Sequence, residues 1–348
     1  MSQKNKIYNI GIIGTGNIAE IQIAALNNID VANVIGVHSR NLNNPNINKI
    51  NKNIILYKNY KDMLENKDID IITISTPSGL HYIHALEAIK LRKHVIIEKP
   101  IEIEIKKIHK LIDQSKKFDV KLSCFFPSRY MLGVKEAKNA LINQRLGQII
   151  YCNASIRWFR DKNYYNQSWR GTWKYDGGGS LMNQSIHTID LMQWLLGPVS
   201  SLKGKIGNYH HKIETEDTGI SMLQFKSGAF GVIIGSTACW PGEPAKIEIN
   251  GTKGKITLEE GRITEWKIED SDKNEEHAML NLEKKHGSGS SNPMGITFEK
   301  HKLQYLDFIN SIKKDEEPII NGVEAKKSVE IILNIYKSSK LNKTIYMD

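Results

Sequence analysis

The feature that most restricts this chain is the alternation in its first third. Short Val/Ile runs are each followed by a stretch with helical apolar spacing. Ile7 to Ile13 is an apolar run ending in glycines, and Asn17 to Leu26 follows with Ile18, Ile21 and Ala25 at helical spacing. Val31 to Val37 and Ile69 to Ser75 read as strands, and Leu80 to Leu91 as a helix with Ile83, Leu86 and Ile89 on one side. His94 to Ile97 is a further strand, Glu104 to Lys117 a helix, and Val120 to Ser123 another strand. Near-continuous apolar strands need cover on both faces, and helical crossovers between them make the sheet parallel. The expectation is a doubly wound α/β domain.

After about residue 125 the rhythm changes. Leu132 to Asn143 reads as a helix and Ile149 to Phe159 as a strand. The cluster Gly177-Gly178-Gly179 precedes a helix from Leu181 to Leu196, which Gly197-Pro198 stops. Strands follow over Gly219–Phe225, Ala229–Ser236, Ala245–Asn250 and Lys255–Glu259, with tight turns at Lys226–Ala229 and Asn250–Gly254. This predicts an α+β domain with a mostly antiparallel sheet. Ser271 to Asn292 is polar and Gly/Ser-rich and reads as a loop. Helices over about Phe298–Ile312 and Glu324–Ser338 close the chain, and they are candidates to pack back on the first domain. The predicted division is 1–125 and 126–348, which suits 348 residues at ~150 per domain.

Composition excludes several function classes. No apolar run approaches the ~20 residues of a membrane helix, and the N-terminus lacks the apolar stretch of a secretory signal. Cys124, Cys152 and Cys239 make neither a disulfide framework nor a zinc pattern, which fits a reducing cytoplasm. Lys and Arg number 48 against 38 Asp and Glu, a formal +10. No dense basic block with interleaved aromatics is present, so the charge fits scattered surface lysines or an anionic cofactor or substrate, and no nucleic-acid partner is expected.

Between the first strand and first helix lies Gly14-Thr15-Gly16-Asn17-Ile18-Ala19, a G-x-G-x-x-A turn. Gly14 permits the tight turn, Gly16 lets the backbone approach a pyrophosphate, and Ala19 lets helix and strand pack closely. The helix N-terminus, at Asn17 and Ile18, offers N–H groups to the phosphates. The second strand ends in His38-Ser39-Arg40, without the acid that usually bonds an NAD ribose. Ser39 and Arg40 can instead hold a 2′-phosphate, so NADP is preferred over NAD; a solvated Arg40 with either cofactor is the alternative.

Thr76-Pro77-Ser78-Gly79-Leu80-His81 follows the third strand and Glu98-Lys99-Pro100 the fourth. Further on come Trp169-Arg170-Gly171-Thr172-Trp173, Asp176 through Asp190, Glu216-Asp217-Thr218, Gly251-Thr252-Lys253-Gly254 and His301 with Asp307-Phe308-Ile309. Together these resemble the glucose–fructose oxidoreductase, inositol dehydrogenase and MocA family along nearly the whole chain. The resemblance implies an N-terminal Rossmann domain and a C-terminal α+β domain with an open sheet. It implies NAD(P)-dependent oxidation or reduction at a carbon of a sugar, polyol or nucleotide-sugar. Thr76, Pro77, His81, Glu98 and Lys99 join the expected cofactor-binding residues. A homodimer or homotetramer, built by packing the open sheets, is also implied.

The resemblance puts Lys99 beside the substrate hydroxyl, where a cation stabilises alkoxide-like charge as hydride leaves. Pro100 stiffens that turn, and Glu98 is expected to orient Lys99 or bind the nicotinamide ribose. Asn183, His187 and Asp190 are spaced to share a helix face. Alone, such a histidine is more often structural; the resemblance reverses that and makes His187 the general acid/base. Asn183 stands where many members carry Asp, so it can hold a hydroxyl but not take a proton. Related sugar dehydrogenases show Asn-Gln here, so the site is not read as dead. Asp190 is expected to anchor the helix or set the His187 tautomer.

Arg129, Tyr130, Tyr164, Tyr165, Trp169, Arg170 and Trp173 are candidates to line a sugar pocket, with core packing as the alternative. His210, His211, His277 and His286 lack a metal-ligand pattern, so no metal is expected. The rival functions are a catalytically silent cofactor-binding sensor or scaffold, and a basic nucleic-acid binder for which no motif exists.

Overall fold

The computed structural model describes residues 6–41, 53–166, 169–283 and 298–347. These divide into two compact units, Met1–Pro127 with Thr297–Lys326 and Ser128–Ile296 with Lys327–Asp348.

In the first unit the strands are β1 (Tyr8–Ile13), β2 (Ala32–His38), β3 (Ile55–Tyr57), β4 (Ile71–Ile74), β5 (His94–Ile97) and β6 (Leu122–Cys124). The helices are α1 (Asn17–Leu26), α2 (Tyr60–Glu65), α3 (His81–Lys90) and α4 (Ile105–Phe118). The sheet has the order β3-β2-β1-β4-β5-β6, and every pair is parallel. The order reverses beside β1, which places the switch point where ligands of such sheets bind. Residues β3 and α2 carry too little apolar pattern to be read from sequence: one is a three-residue edge strand and the other a six-residue helix. Helix α8 (Glu299–Lys314) packs on α1, and Tyr305, Phe308 and Ile309 join Ile10, Ile12, Leu26 and Ile96 in one core.

The second unit holds α5 (Leu132–Ile142), β7 (Ile149–Arg157), α6 (Ile186–Leu196) and β8 (Val199–Gly207). It continues with β9 (Thr218–Phe225), β10 (Phe230–Ser236), β11 (Lys246–Gly251), β12 (Gly254–Glu259) and β13 (Arg262–Ile268). The last elements are α7 (Lys273–Leu280), α9 (Gly322–Leu341), which begins in the first unit, and β14 (Ile345–Tyr346). The eight-stranded order is β13-β12-β11-β7-β10-β9-β8-β14. Only β7 and β10 run parallel; the other pairs are antiparallel. Helices α5 and α6 pack against this sheet. Strand β9 alternates buried and exposed along its length, as a sheet with one covered face requires.

Two expectations are corrected. The loop read over Ser271–Asn292 contains α7, with Asp272 capping it by accepting from the Glu275 amide at 2.8 Å. No residue of α7 is buried, so periodicity gave no signal; ion pairs of Arg145 with Asp270 and Glu275 hold it. Residues 284–292 of that loop lie outside the described residues. The helix read over Leu181–Leu196 is not uniform: Ser180–Ser185 is π-helical and α6 proper starts at Ile186.

Candidate active site

The Gly14 turn crosses from β1 to α1 at the switch point of the sheet. Gly14 has φ +113°, and a Cβ there would meet the Ser75 carbonyl oxygen at 2.5 Å. Only glycine fits both demands. A Cβ on Gly16 would meet nothing within 4 Å, so the turn faces open space. Gly16 is also the N-cap of α1, with no side-chain capping bond. Thr76, at the end of β4, buries its Oγ1 without a hydrogen-bond partner. An open turn, a helix N-terminus without a side-chain cap and an orphaned hydroxyl fit a dinucleotide phosphate group.

The residues after β2 are split. The Ser39 hydroxyl is buried, 2.8 Å from Thr15 Oγ1, and donates to the Asn41 carbonyl at 2.9 Å. That hydroxyl is committed inside the protein. Arg40 is exposed.

At the end of β5 the chain builds a network that the sequence did not reveal. Gln22 on α1 donates from Nε2 to Glu98 Oε1 at 2.7 Å and accepts from Ser75 Oγ at 2.5 Å. Glu98 Oε2 accepts from the Lys99 amide at 3.2 Å. Burial pushes the Glu98 carboxyl up to about 7, against the pull of Lys99 and these bonds. Lys99 itself is half-buried on the turn, followed by Pro100. His81 lies between the two turns: its ring nitrogens are 2.8 Å from the Pro100 carbonyl and 2.9 Å from the Thr76 carbonyl. Burial lowers its pKa to about 4, against the pull of the two carbonyls, and a neutral ring donates to only one of them. Only a chain folded through α1, β4 and β5 brings Gln22, Ser75 and Glu98 together.

In the second unit Glu216 explains the glycine cluster. A Cβ on Gly179 would lie 1.7 Å from the Glu216 carbonyl oxygen. The Glu216 carboxylate accepts from the amides of Gly179 at 3.0 Å and Leu181 at 2.9 Å, and from Tyr336 Oη at 3.0 Å. It thus caps the π-helical turn, the kind of helix irregularity often found at functional sites. Burial pushes its pKa up to about 7.

The π turn changes the geometry expected of Asn183, His187 and Asp190. Asn183 donates from Nδ2 to Asp176 Oδ1 at 2.5 Å. His187 is half-buried in the first turn of α6. Asp190 points elsewhere: Arg129 donates to it from Nε at 2.8 Å and from Nη2 at 2.7 Å, with both side chains 1% exposed. Asp190 therefore anchors α6. Arg129 and Tyr130 are buried.

The remaining aromatic candidates do cluster. Tyr164 and Tyr165 meet edge-on at 4.9 Å between ring centroids. Tyr165 Oη is 2.8 Å from Thr237 Oγ1, and Tyr164 Oη accepts from Gln184 Nε2 at 2.8 Å. Arg170 stacks over Tyr164 at 4.1 Å and Trp169 at 4.8 Å. Trp173 is set against Tyr336 instead, at 5.2 Å. Among the described residues no group of three or more His, Cys, Asp or Glu is placed to hold a metal ion, and His286 lies outside them.

Comparison with known proteins places this geometry. A family model described as an oxidoreductase family with an NAD-binding Rossmann fold matches residues 8–126. One described as a GFO/IDH/MocA C-terminal domain matches residues 134–257. The myo-inositol 2-dehydrogenase of Thermotoga maritima is 24% identical, over 97% of this chain and 98% of its own. The glucose-6-phosphate 3-dehydrogenase of Bacillus subtilis is 27% identical over 75% of this chain and 77% of its own. The crystal structure of the WlbA dehydrogenase from Bordetella pertussis, in complex with NADH and UDP-GlcNAcA, matches with a TM-score of 0.90. It shares 27% identity and covers 99% of each chain.

Proposed function

The chain belongs to the GFO/IDH/MocA oxidoreductase family, with an NAD-binding Rossmann domain, and from that membership we propose a sugar dehydrogenase or reductase. Hydride passes between a nicotinamide and a hydroxyl-bearing carbon of a sugar, polyol or nucleotide-sugar. The observation that supports this most directly is the placing of Lys99 at the same strand-end edge as the open Gly16 turn, within one unit. The nicotinamide, when bound, supplies the hydride acceptor or donor. Lys99 stabilises negative charge on the substrate oxygen, and Glu98 holds the Lys99 backbone in place. His187 takes the hydroxyl proton in oxidation and returns it in reduction, and Asn183 Oδ1 orients a hydroxyl. Nucleotide-linked sugars are favoured over polyols by the full-length likeness to a dehydrogenase solved with UDP-GlcNAcA.

Preference for NADP now rests on Arg40 alone, because the Ser39 hydroxyl is committed to Thr15 and Asn41. Self-association is assigned to the open face of the second sheet, where Tyr151, Ile220, Met222 and Phe230 are 45–65% exposed. Sedimentation of Met222→Lys against wild type reads it: a wild-type oligomer that Met222→Lys leaves intact places the interface elsewhere.

The test is nicotinamide absorbance and fluorescence on purified protein, first with NADP(H) and NAD(H), then with a panel of sugars, inositols and UDP-sugars. Sugar-dependent change in the reduced-nicotinamide band supports the enzyme. Tight cofactor binding with no redox change across the panel turns it to the sensor. In Arg40→Ala the KM for NADP is expected to rise about tenfold with NAD unmoved; equal effects on both would make Arg40 neutral to the choice.

A further inference from the structure

The turn that leads into His187 is held by a residue from a distant part of the second unit. Gly179, Ser180 and Leu181 present three consecutive amide N–H groups, and all three donate to Glu216. Carboxyl Oε2 takes Gly179 at 3.0 Å, the backbone carbonyl takes Ser180 at 3.1 Å, and Oε1 takes Leu181 at 2.9 Å. Tyr336, on α9, also donates to Oε1, at 3.0 Å. The crossing leaves no room for side chains on the turn. A Cβ on Gly178 would lie 2.1 Å from Tyr336 Oη, and one on Gly179 would meet the Glu216 carbonyl oxygen. Gly179 passes the constraint on, because its own carbonyl accepts from the Asn183 amide at 2.9 Å.

A π turn is rare and survives as a single turn inside an α-helix, so it depends on such outside support. If Ser180–Ser185 relaxed to α-helix, the residue count of the turn would change. Each residue gained or lost rotates a helix by about 100°. Asn183, inside the π turn, and His187, just past it, would then lose their relative placing.

Both carboxyl oxygens of Glu216 receive donors, which suits the acceptor-only carboxylate. Burial works the other way and pushes this group up to about 7, against the pull of the amides and the phenol. The titratable groups that feel its charge are Tyr336 and Tyr165, and burial keeps each a phenol. The neighbouring acids turn elsewhere: Asp217 to the amides of Tyr209, His210 and His211, Glu214 to that of Trp173, and Asp176 to that of Gly171 and to Asn183. A neutral Glu216 must donate from one of its oxygens. Thr215 Oγ1, buried beside Gly179 without a hydrogen-bond partner, can accept that proton. The exchange withdraws an oxygen from the turn.

We propose that Glu216, supported by Tyr336, is a positioning residue for the proton transfer: as a carboxylate it locks the π turn and so sets His187 against the substrate hydroxyl, and its protonation releases the turn. The proposal rests on the sugar dehydrogenase reading and adds a proton switch to that same site.

The first readout needs no substrate. The full chain, labelled at its histidine rings, is titrated by NMR through neutrality, with His187 identified by its loss in His187→Gln. The wild-type His187 resonance is expected to report a second ionisation, that of Glu216. Glu216→Gln should abolish that inflection. Tyr336→Phe, which removes one donor to the carboxylate, should move it up by about one pH unit. A residue that only holds the fold would change the melting temperature and leave His187 with a single titration. The second readout is oxidation with NAD and NADP across the panel of sugars, inositols and UDP-sugars. Glu216→Gln should lower kcat by about 10- to 100-fold with the cofactor KM unmoved. Oxidation needs a neutral His187 and an ionised Glu216, so the acid limb of kcat should be one proton less steep in Glu216→Gln. Should that variant fail to fold, Tyr336→Phe carries both readouts. No second ionisation at His187 in wild type, one unaltered in every variant that folds, or wild-type kcat in Glu216→Gln overturns the proposal. A coupled titration with no oxidation across the panel keeps the lock and refutes the dehydrogenase.

Discussion

The first unit's sheet buries β4 and β6 end to end, and β1 and β5 save for one half-buried residue each. The second unit's sheet covers one face and leaves Met222 and Phe230 at 65% and 60% exposure on the other. The two units also build their functional groups differently. The turn proposed for the cofactor is backbone and small residues, Gly14, Gly16 and Thr76, set at strand ends by a local crossing. The second unit relies on charged and aromatic side chains, held in place by Glu216, Asp176 and Gln184 from distant parts of its chain. A two-faced sheet leaves only its strand ends for function. A one-faced sheet carries chemistry on its helices and loops and keeps a free face for another surface.

If the units divide the labour in this way, variants should divide too. The largest effect is expected from Lys99→Met and His187→Ala, one in each unit. Each should lower kcat by about 100- to 10,000-fold while NADH fluorescence titrations still show cofactor binding. Wild-type kcat in either variant would remove that residue from the chemistry. Next comes Asp190→Ala. It leaves the Arg129 guanidinium buried and without its carboxylate, at a cost of about 3–5 kcal/mol in urea unfolding. A loss below about 1 kcal/mol would mean that solvent reaches Arg129.

The third prediction separates two glycines of one turn. Gly14→Ala strains a positive φ and drives a Cβ against Ser75, and should destabilise by roughly 1–3 kcal/mol. Gly16→Ala should leave the melting temperature unchanged and weaken the cofactor about tenfold, because its Cβ enters the open space proposed for the phosphates. Equal effects of the two on stability would refute the open turn. The smallest effect concerns pH. Burial raises Glu98 and Glu216, one carboxyl per unit, to about 7 from the ordinary 4.5. Between those values the folded chain binds more protons than the unfolded chain, so stability falls as pH rises and levels off above about 7. Glu98→Gln should remove about half of that slope, leaving the share of Glu216. An unchanged slope in Glu98→Gln would show that its carboxyl is not perturbed.

The parallel sheet was legible because β4 and β5 read as near-continuous Val/Ile runs, and the strand Ile69–Ser75 needed only trimming to Ile71–Ile74. Strand β8 escaped, because Val199–Gly207 mixes Ser, Lys and Gly, and pairing with β9 rather than its own pattern makes it a strand. At the site, Gly14, Gly16 and Lys99 were legible as a local motif. Gln22 was not, and Gln184 and Glu216 lay in family motifs without their roles, since nothing near them in sequence marks their partners.

Sequence alone determined the two folds, the glycine turn after β1 and the family, because each rests on periodicity or on short fixed spacings that neighbouring residues dictate. Tertiary structure decided the roles. It gave Arg129 to Asp190, closed the Ser39 hydroxyl between Thr15 and Asn41, replaced part of a helix by a π turn, and set Arg170 over Tyr164. Those outcomes depend on which side chains meet across long stretches of chain, and a side chain's chemistry is fixed by the partner and the burial it finds there.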